Sequence, residues 1–140
     1  MPIKGGTVVT AADTMDADVL IEDDKVVAIY ARDAEGVVGQ IAGAVVEAGA
    51  STVIDATGKY VIPGAIDVHT HFELPFGGTY VSDDFESGTR AAAHGGTTTI
   101  VDFAVQNTGF SVHERLAEWH EKAAGNCAVD YGFHQIIGGV

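Results

Sequence analysis

The sequence predicts an α/β chain: strands of a small β-sandwich domain, followed by the start of a parallel (β/α)8 TIM-type barrel that stays incomplete in this chain. Three observations carry this expectation. Residues 1–62 hold short β-branched apolar runs separated by turn-forming residues. After Pro63, apolar strands alternate with capped amphipathic segments, which is the pattern of parallel βα units. Only three such strands occur before Val140, whereas a closed barrel uses eight. The expected division is therefore 1–62, the N-terminal strands of the small β domain, and 63–140, the first three βα units.

In order along the chain, TVVT is the first β-branched run, and ADVLIEDDKVVAIY reads as two strands around Asp23 and Asp24. STVIDATGKYVIPG reads as two more around Thr57 and Gly58, and together these predict an antiparallel unit. The stretch at 31–50, rich in alanine, glycine and valine, follows neither a period of two nor one of 3.6 and reads as an irregular insertion. AIDVHTHF is the first barrel strand. Asp83 and Glu86 have the spacing of a capping box, and Phe85, Thr89, Ala92, Ala93 and Gly96 follow at helical intervals until Gly95 and Gly96 stop the helix. TTTIVDFAV is the second strand. Ser111 and Glu114 form another capping box, Val112, Leu116, Trp119 and Ala123 share one face, and Gly125 ends that helix. AVDYGFHQII is the third strand.

Composition narrows the function. Twenty acidic residues against seven basic ones give a formal charge of -13, so polyanions are repelled and nucleic acid is not an expected partner. No segment approaches the roughly 20 apolar residues of a membrane span, and no basic segment with an apolar run opens the chain, so a cytoplasmic protein is expected. A single cysteine, Cys127, cannot form an internal disulfide or a multi-thiolate metal site. Any metal must be held by nitrogen and oxygen.

The chemistry concentrates in GAIDVHTHFELPFGGT. Side chains two apart on a strand share a face, so His69 and His71 converge while Thr70 points away. Two imidazoles make half of a metal site, and the carboxyl end of a barrel strand is where such a site belongs. The bland alternative is a pair of satisfied strand histidines. Asp67 lies on the same face and is a third ligand, an outer carboxylate orienting an imidazole, or purely structural. Asp102 either supports the site or caps a loop.

The runs DATGKYVIPGAIDVHTHFELPFGGT, DDFESGTRAAAHGGTTTIVDFAVQ and WHEKAAGNCAVDYGFH resemble the hydantoinase and dihydropyrimidinase family of the amidohydrolase superfamily. The likeness extends over most of the chain from Ile3, apart from the stretch after Tyr30, and PFGGT is closer to hydantoinases than to dihydroorotases or allantoinases. The resemblance implies a hydrolase that opens hydantoin or dihydrouracil rings to N-carbamoyl amino acids. It implies two zinc ions, one held by His69 and His71, bridged by a carboxylated lysine absent from this chain. Two further histidines and a proton-shuttling aspartate belong to later strands, so no catalytic residue is expected here and the chain alone is expected to be inactive. Leu74 and Phe76, in the apolar loop, match the positions that line the pocket for the ring substituent. A homo-oligomer, a tetramer, is also implied. Two other readings stand beside it: a non-catalytic truncated or scaffold relative acting through assembly, and another cyclic amidase such as an allantoinase.

The remaining histidines have plainer readings. His94 suits a helix C-terminus. His113 and His120 each precede a glutamate, but Ala117 and Ala124 stand where H-E-x-x-H needs its second histidine. His134 reads as a packed core residue, and Cys127 as a buried inert thiol.

Overall fold

The computed structural model describes residues 1–32 and 52–139; the irregular stretch read at 31–50 therefore lies almost wholly outside the described residues. The chain divides into two compact units, Met1–Pro63 and Gly64–Val140.

The first unit is a sheet of six strands: β1 (Pro2–Lys4), β2 (Thr7–Val9), β3 (Thr14–Glu22), β4 (Lys25–Ala31), β5 (Ile54–Asp55) and β6 (Tyr60–Val61). Its organiser is β3, long enough to take both β1 and β2 antiparallel along one edge and β4 along the other. Alternation along β3 buries Ala17 and Val19, which join Val8 as the centre of the unit's core, with Ile3, Met15, Ile21 and Val61 packed around them. The β3–β4 hairpin turns at Asp23, whose φ of 54° is one that aspartate tolerates better than most residues.

Two details differ from the sequence reading. A strand at Pro2–Lys4 was not among the expected elements. The unit is also mixed rather than antiparallel, because β5 and β6 do not pair with each other: β5 extends β1 in parallel and β6 extends β2 in parallel. The cause is the long β3, whose two neighbours on one edge each leave a free edge for the returning chain. Gly58, at φ 71°, and the Asp55 carboxylate accepting from Thr57 N make the intervening turn.

The second unit holds a three-stranded parallel sheet in the order β11 (Asp130–Ile137), β10 (Thr97–Gln106), β7 (Ala65–Thr70). Between β7 and β10 come a hairpin, β8 (Pro75–Phe76) with β9 (Thr79–Tyr80), and the helix α1 (Phe85–His94); α2 (Val112–Ala123) joins β10 to β11. β7 and β10 are thus each followed by a crossover and a parallel neighbour, the opening of a βα barrel. The even positions of β10, Ile100, Asp102, Ala104 and Gln106, are buried toward the helices. Phe85 and Ile100, both 0% exposed, and Trp119, Ala104 and Ala123 make the core. Full burial of a large apolar side chain contributes about 1.5–3 kcal/mol.

Helix α2 follows its expected caps, with Ser111 and Glu114 exchanging both bonds of the box. Helix α1 begins one residue later than expected. Its cap is Asp84, paired with Ser87, and not Asp83 with Glu86. The sequence DDFES offers both frames, and placing Phe85 as the first helical residue sinks its ring into the core. Ala93, expected on the same face, is solvent-exposed, while Phe85 and Thr89 are buried. Gly88 lets the helix approach the segment after β7: a Cβ there would stand 2.0 Å from the Phe72 ring. No helix among the described residues is long and apolar enough to cross a membrane.

Candidate functional site

Strand β7 ends at Thr70, so His69 is its penultimate residue and His71 lies just beyond it. Between the pairs Ile100↔Asp67 and Asp102↔Thr70 the register slips, leaving Val68 and His69 opposite Val101 alone. Such a bulge bends the strand and re-aims side chains. Two side chains occupy the backbone groups at this slip. The Asp67 carboxylate accepts from His69 N at 3.0 Å, and His134 of β11 places Nε2 3.2 Å from the Val68 carbonyl oxygen.

The result brings the two imidazoles together. The Nε2 atoms of His69 and His71 are 3.2 Å apart, with rings crossed at 87°. Two nitrogens bound to one tetrahedral ion at 2.0–2.1 Å stand roughly 3.3 Å apart, so the spacing of the pair matches that of two ligands on one metal. Phe103 forms the floor, its ring centroid 4.5 Å from His69, 5.2 Å from His71 and 4.9 Å from His134. His71 Nδ1 is buried with no hydrogen-bond partner. No group of three or more His, Cys, Asp or Glu side chains among the described residues could hold a metal, so these residues bring two nitrogens and no third ligand.

The outlying candidates divide. Asp67 bonds the His69 backbone rather than either ring, so it acts on the strand and not on an imidazole. Asp102 is 1% exposed; its Oδ2 accepts from Thr70 Oγ1 at 3.0 Å and Phe72 N at 2.8 Å, and its Oδ1 from Phe103 N at 2.8 Å and Trp119 Nε1 at 3.2 Å. Of the loop pair, Leu74 packs against the Phe85 core, whereas Phe76 is 78% exposed at the hairpin. A cleft of about 610 Å³ lies beside the hairpin, lined by residues that include Tyr80, Asp84, Arg115 and Glu118; neither His69 nor His71 borders it.

The other titratable groups stay away from the pair. His94, His113 and His120 are exposed on the helices, and His120 packs edge-on to Phe133. His134, read as a core residue, is solvent-exposed beside the pair, because the inner face of three strands is open. Burial, reinforced by the charge of Asp102, pushes the Cys127 thiol up, which suits an unreactive side chain. The sequence reading gave Thr70, Phe103 and Trp119 no place at the site. The one available signal was general: a buried indole N–H seeks an acceptor.

The parallel βα series carries paired histidines at the end of its first strand, and the chain belongs to the amidohydrolase family, whose profile matches residues 60–135. It is 58% identical to a D-hydantoinase of Streptomyces coelicolor over 138 residues, 99% of this chain and 28% of that protein. It is 39% identical to the dihydropyrimidinase of Dictyostelium discoideum, over 96% of this chain and 24% of that one. Among solved structures, dihydropyrimidinase from Brevibacillus agri superposes with a TM-score of 0.83 at 51% identity, over 97% of this chain and 27% of that one. The chain thus spans about a quarter of the length of the relatives it matches.

Proposed function

We propose that this chain supplies the first metal half-site and the first barrel units of a cyclic-amide hydrolase, one that opens hydantoin or dihydropyrimidine rings to N-carbamoyl amino acids. The observation that carries the reading is the convergence of His69 and His71 Nε2 within 3.2 Å at the carboxyl end of β7, in a chain 58% identical to a D-hydantoinase. On this reading residues 1–62 belong to the small β domain and 63–140 to the barrel. His69 and His71 hold one of two zinc ions, and the bridging carboxylated lysine, the remaining ligands and the proton-shuttling aspartate come from residues other than these 140. A bound zinc ion supplies Lewis acidity, lowering the pKa of water and polarising a carbonyl oxygen.

The chain's own residues prepare that chemistry. The Asp67 bond and the His134 contact hold the bulge that aims His69. Phe103 presents an apolar floor that excludes water beneath both rings. Phe76 contacts the ring substituent, and Leu74 anchors the loop that carries it. The assembly is a cytoplasmic homotetramer.

The test uses the full-length protein that carries this sequence. Stoichiometric zinc and opening of dihydrouracil or a hydantoin are expected, both lost in His69→Ala, and no turnover is expected from the 140-residue chain alone. A full-length protein that binds no zinc and opens no ring overturns the proposal in favour of a scaffold. Turnover of allantoin alone would replace the substrate and keep the chemistry.

A further inference from the structure

We propose that Asp102 is a positioning residue for the histidine pair, fixing through Thr70, Phe72 and Trp119 the short peptide that carries His71. The proposal rests on the metal-binding reading of the pair and extends it to residues that never touch the ion.

The argument begins with where β7 stops. His71 lies beyond the last paired residue, so no sheet ladder fixes its backbone. A single carboxylate oxygen takes over. Asp102 Oδ2 accepts from Thr70 Oγ1 and from Phe72 N, the residues on either side of His71. Both flanks of the histidine are thereby tied to one buried atom. The other oxygen is occupied as well, by the Phe103 amide and the Trp119 indole N–H.

All four partners are donors, which matches a group with two acceptor oxygens and nothing to donate. Burying such a group without partners would be costly, and here every contact is within 3.2 Å. Trp119 is itself 2% exposed and lies in α2, with Lys122 Nζ 4.2 Å from its ring centroid. The helix therefore sets the carboxylate, the carboxylate sets the peptide at 70–72, and that peptide sets the direction of the His71 ring. If Asp102 served packing alone, the bonds to both flanks of His71 would have no bearing on the imidazole.

Three variants of the full-length protein test this: Thr70→Val, Trp119→Phe and Asp102→Asn, the last placing an NH2 group against donors. Three readouts are taken: zinc affinity by chelator competition, the imidazole resonances of His71 and His94 in the metal-free protein, and the Tm of the metal-free protein. Thr70→Val and Trp119→Phe should each weaken zinc binding by about tenfold, and Asp102→Asn by up to about a hundredfold. His71 resonances should move while those of His94 stay. Parental zinc affinity and an unmoved His71 ring in all three variants, with only Tm lowered, would overturn the proposal. Should Asp102→Asn fail to fold, the two milder variants decide it. Should the parent protein bind no zinc, the metal reading alone falls, and the positioning claim stands or falls on whether the His71 resonances move.

Discussion

Phe76 stands exposed beside a tight turn made by the two glycines that follow it. The hairpin pairs Phe76 with Thr79, leaving a two-residue loop in which Gly77 and Gly78 adopt φ of 61° and 81°. Tight hairpin loops of this kind need left-handed backbone at both positions, which glycine takes without strain. Beside this turn the ring is 78% exposed. Its proposed work is to distinguish ring substituents, where changes in apolar contact are worth roughly 10- to 200-fold in selectivity. Phe76→Ala in the full-length protein should shift kcat/KM ratios among 5-substituted hydantoins within that range and leave zinc content unchanged; an equal loss on every substrate would remove Phe76 from the selective contact. At this scale the sequence shows His69 and His71 clearly, because a period of two is a local property. It does not show that Leu74 packs inward while Phe76 points out, which depends on where α1 docks. Nor does it show the ties of Asp102, whose partners Thr70, Phe72 and Trp119 lie 32, 30 and 17 residues away.

At the scale of elements, the two helices begin with the same device, and it responds to acid. Hydrogen bonds from Ser87 hold the Asp84 carboxyl below its usual value, and those from Ser111 do the same for Glu114. A carboxyl with a depressed folded-state pKa binds fewer protons folded than unfolded. Its contribution to stability is present above the unfolded value, 3.8 for Asp84 and 4.5 for Glu114, and is lost as pH falls through the lower folded value. Asparagine caps a helix about as well as aspartate and does not titrate. Asp84→Asn should therefore leave Tm near neutrality close to the parental value and lose less of it between pH 5 and pH 3 than the parent. A parental slope in that window would show that the cap plays no part in acid unfolding. The sequence made the Ser111 box legible because its frame is unique. DDFES holds two frames, and burial of Phe85, a tertiary effect, selects the second. The parallel pairing of β5 and β6 was hidden for the same kind of reason: strand patterns mark the strands, while partners follow from the length of β3.

For the molecule as a whole, apolar burial and charge pull in opposite directions. Strands of parallel sheets are ordinarily covered on both faces. Here Ile66 and Val68 of β7 are 63% and 59% exposed, and Ile137 of β11 is 64% exposed. β7 and β11 each pair along one edge only among the described residues. Open edges and apolar faces favour association. Against this stands a charge of -13, which keeps copies apart over a distance set by ionic strength. The two effects separate with salt: screening removes the repulsion and leaves the apolar attraction. The isolated 140-residue chain should bind a hydrophobic dye at low salt and show light scattering that rises steeply between about 10 mM and 0.5 M NaCl, as the Debye length falls from about 30 Å to below 8 Å. The double substitution Ile66→Lys with Val68→Lys should flatten that rise in the isolated chain. On the proposed reading the rest of the full-length protein covers Ile66 and Val68, so there the same pair should lower Tm by burying two unpaired charges. A chain that stays monomeric at every salt concentration, with no dye binding, would mean that the exposed apolar residues of β7 require no cover. A full-length protein indifferent to both lysines would carry the same meaning from the other direction.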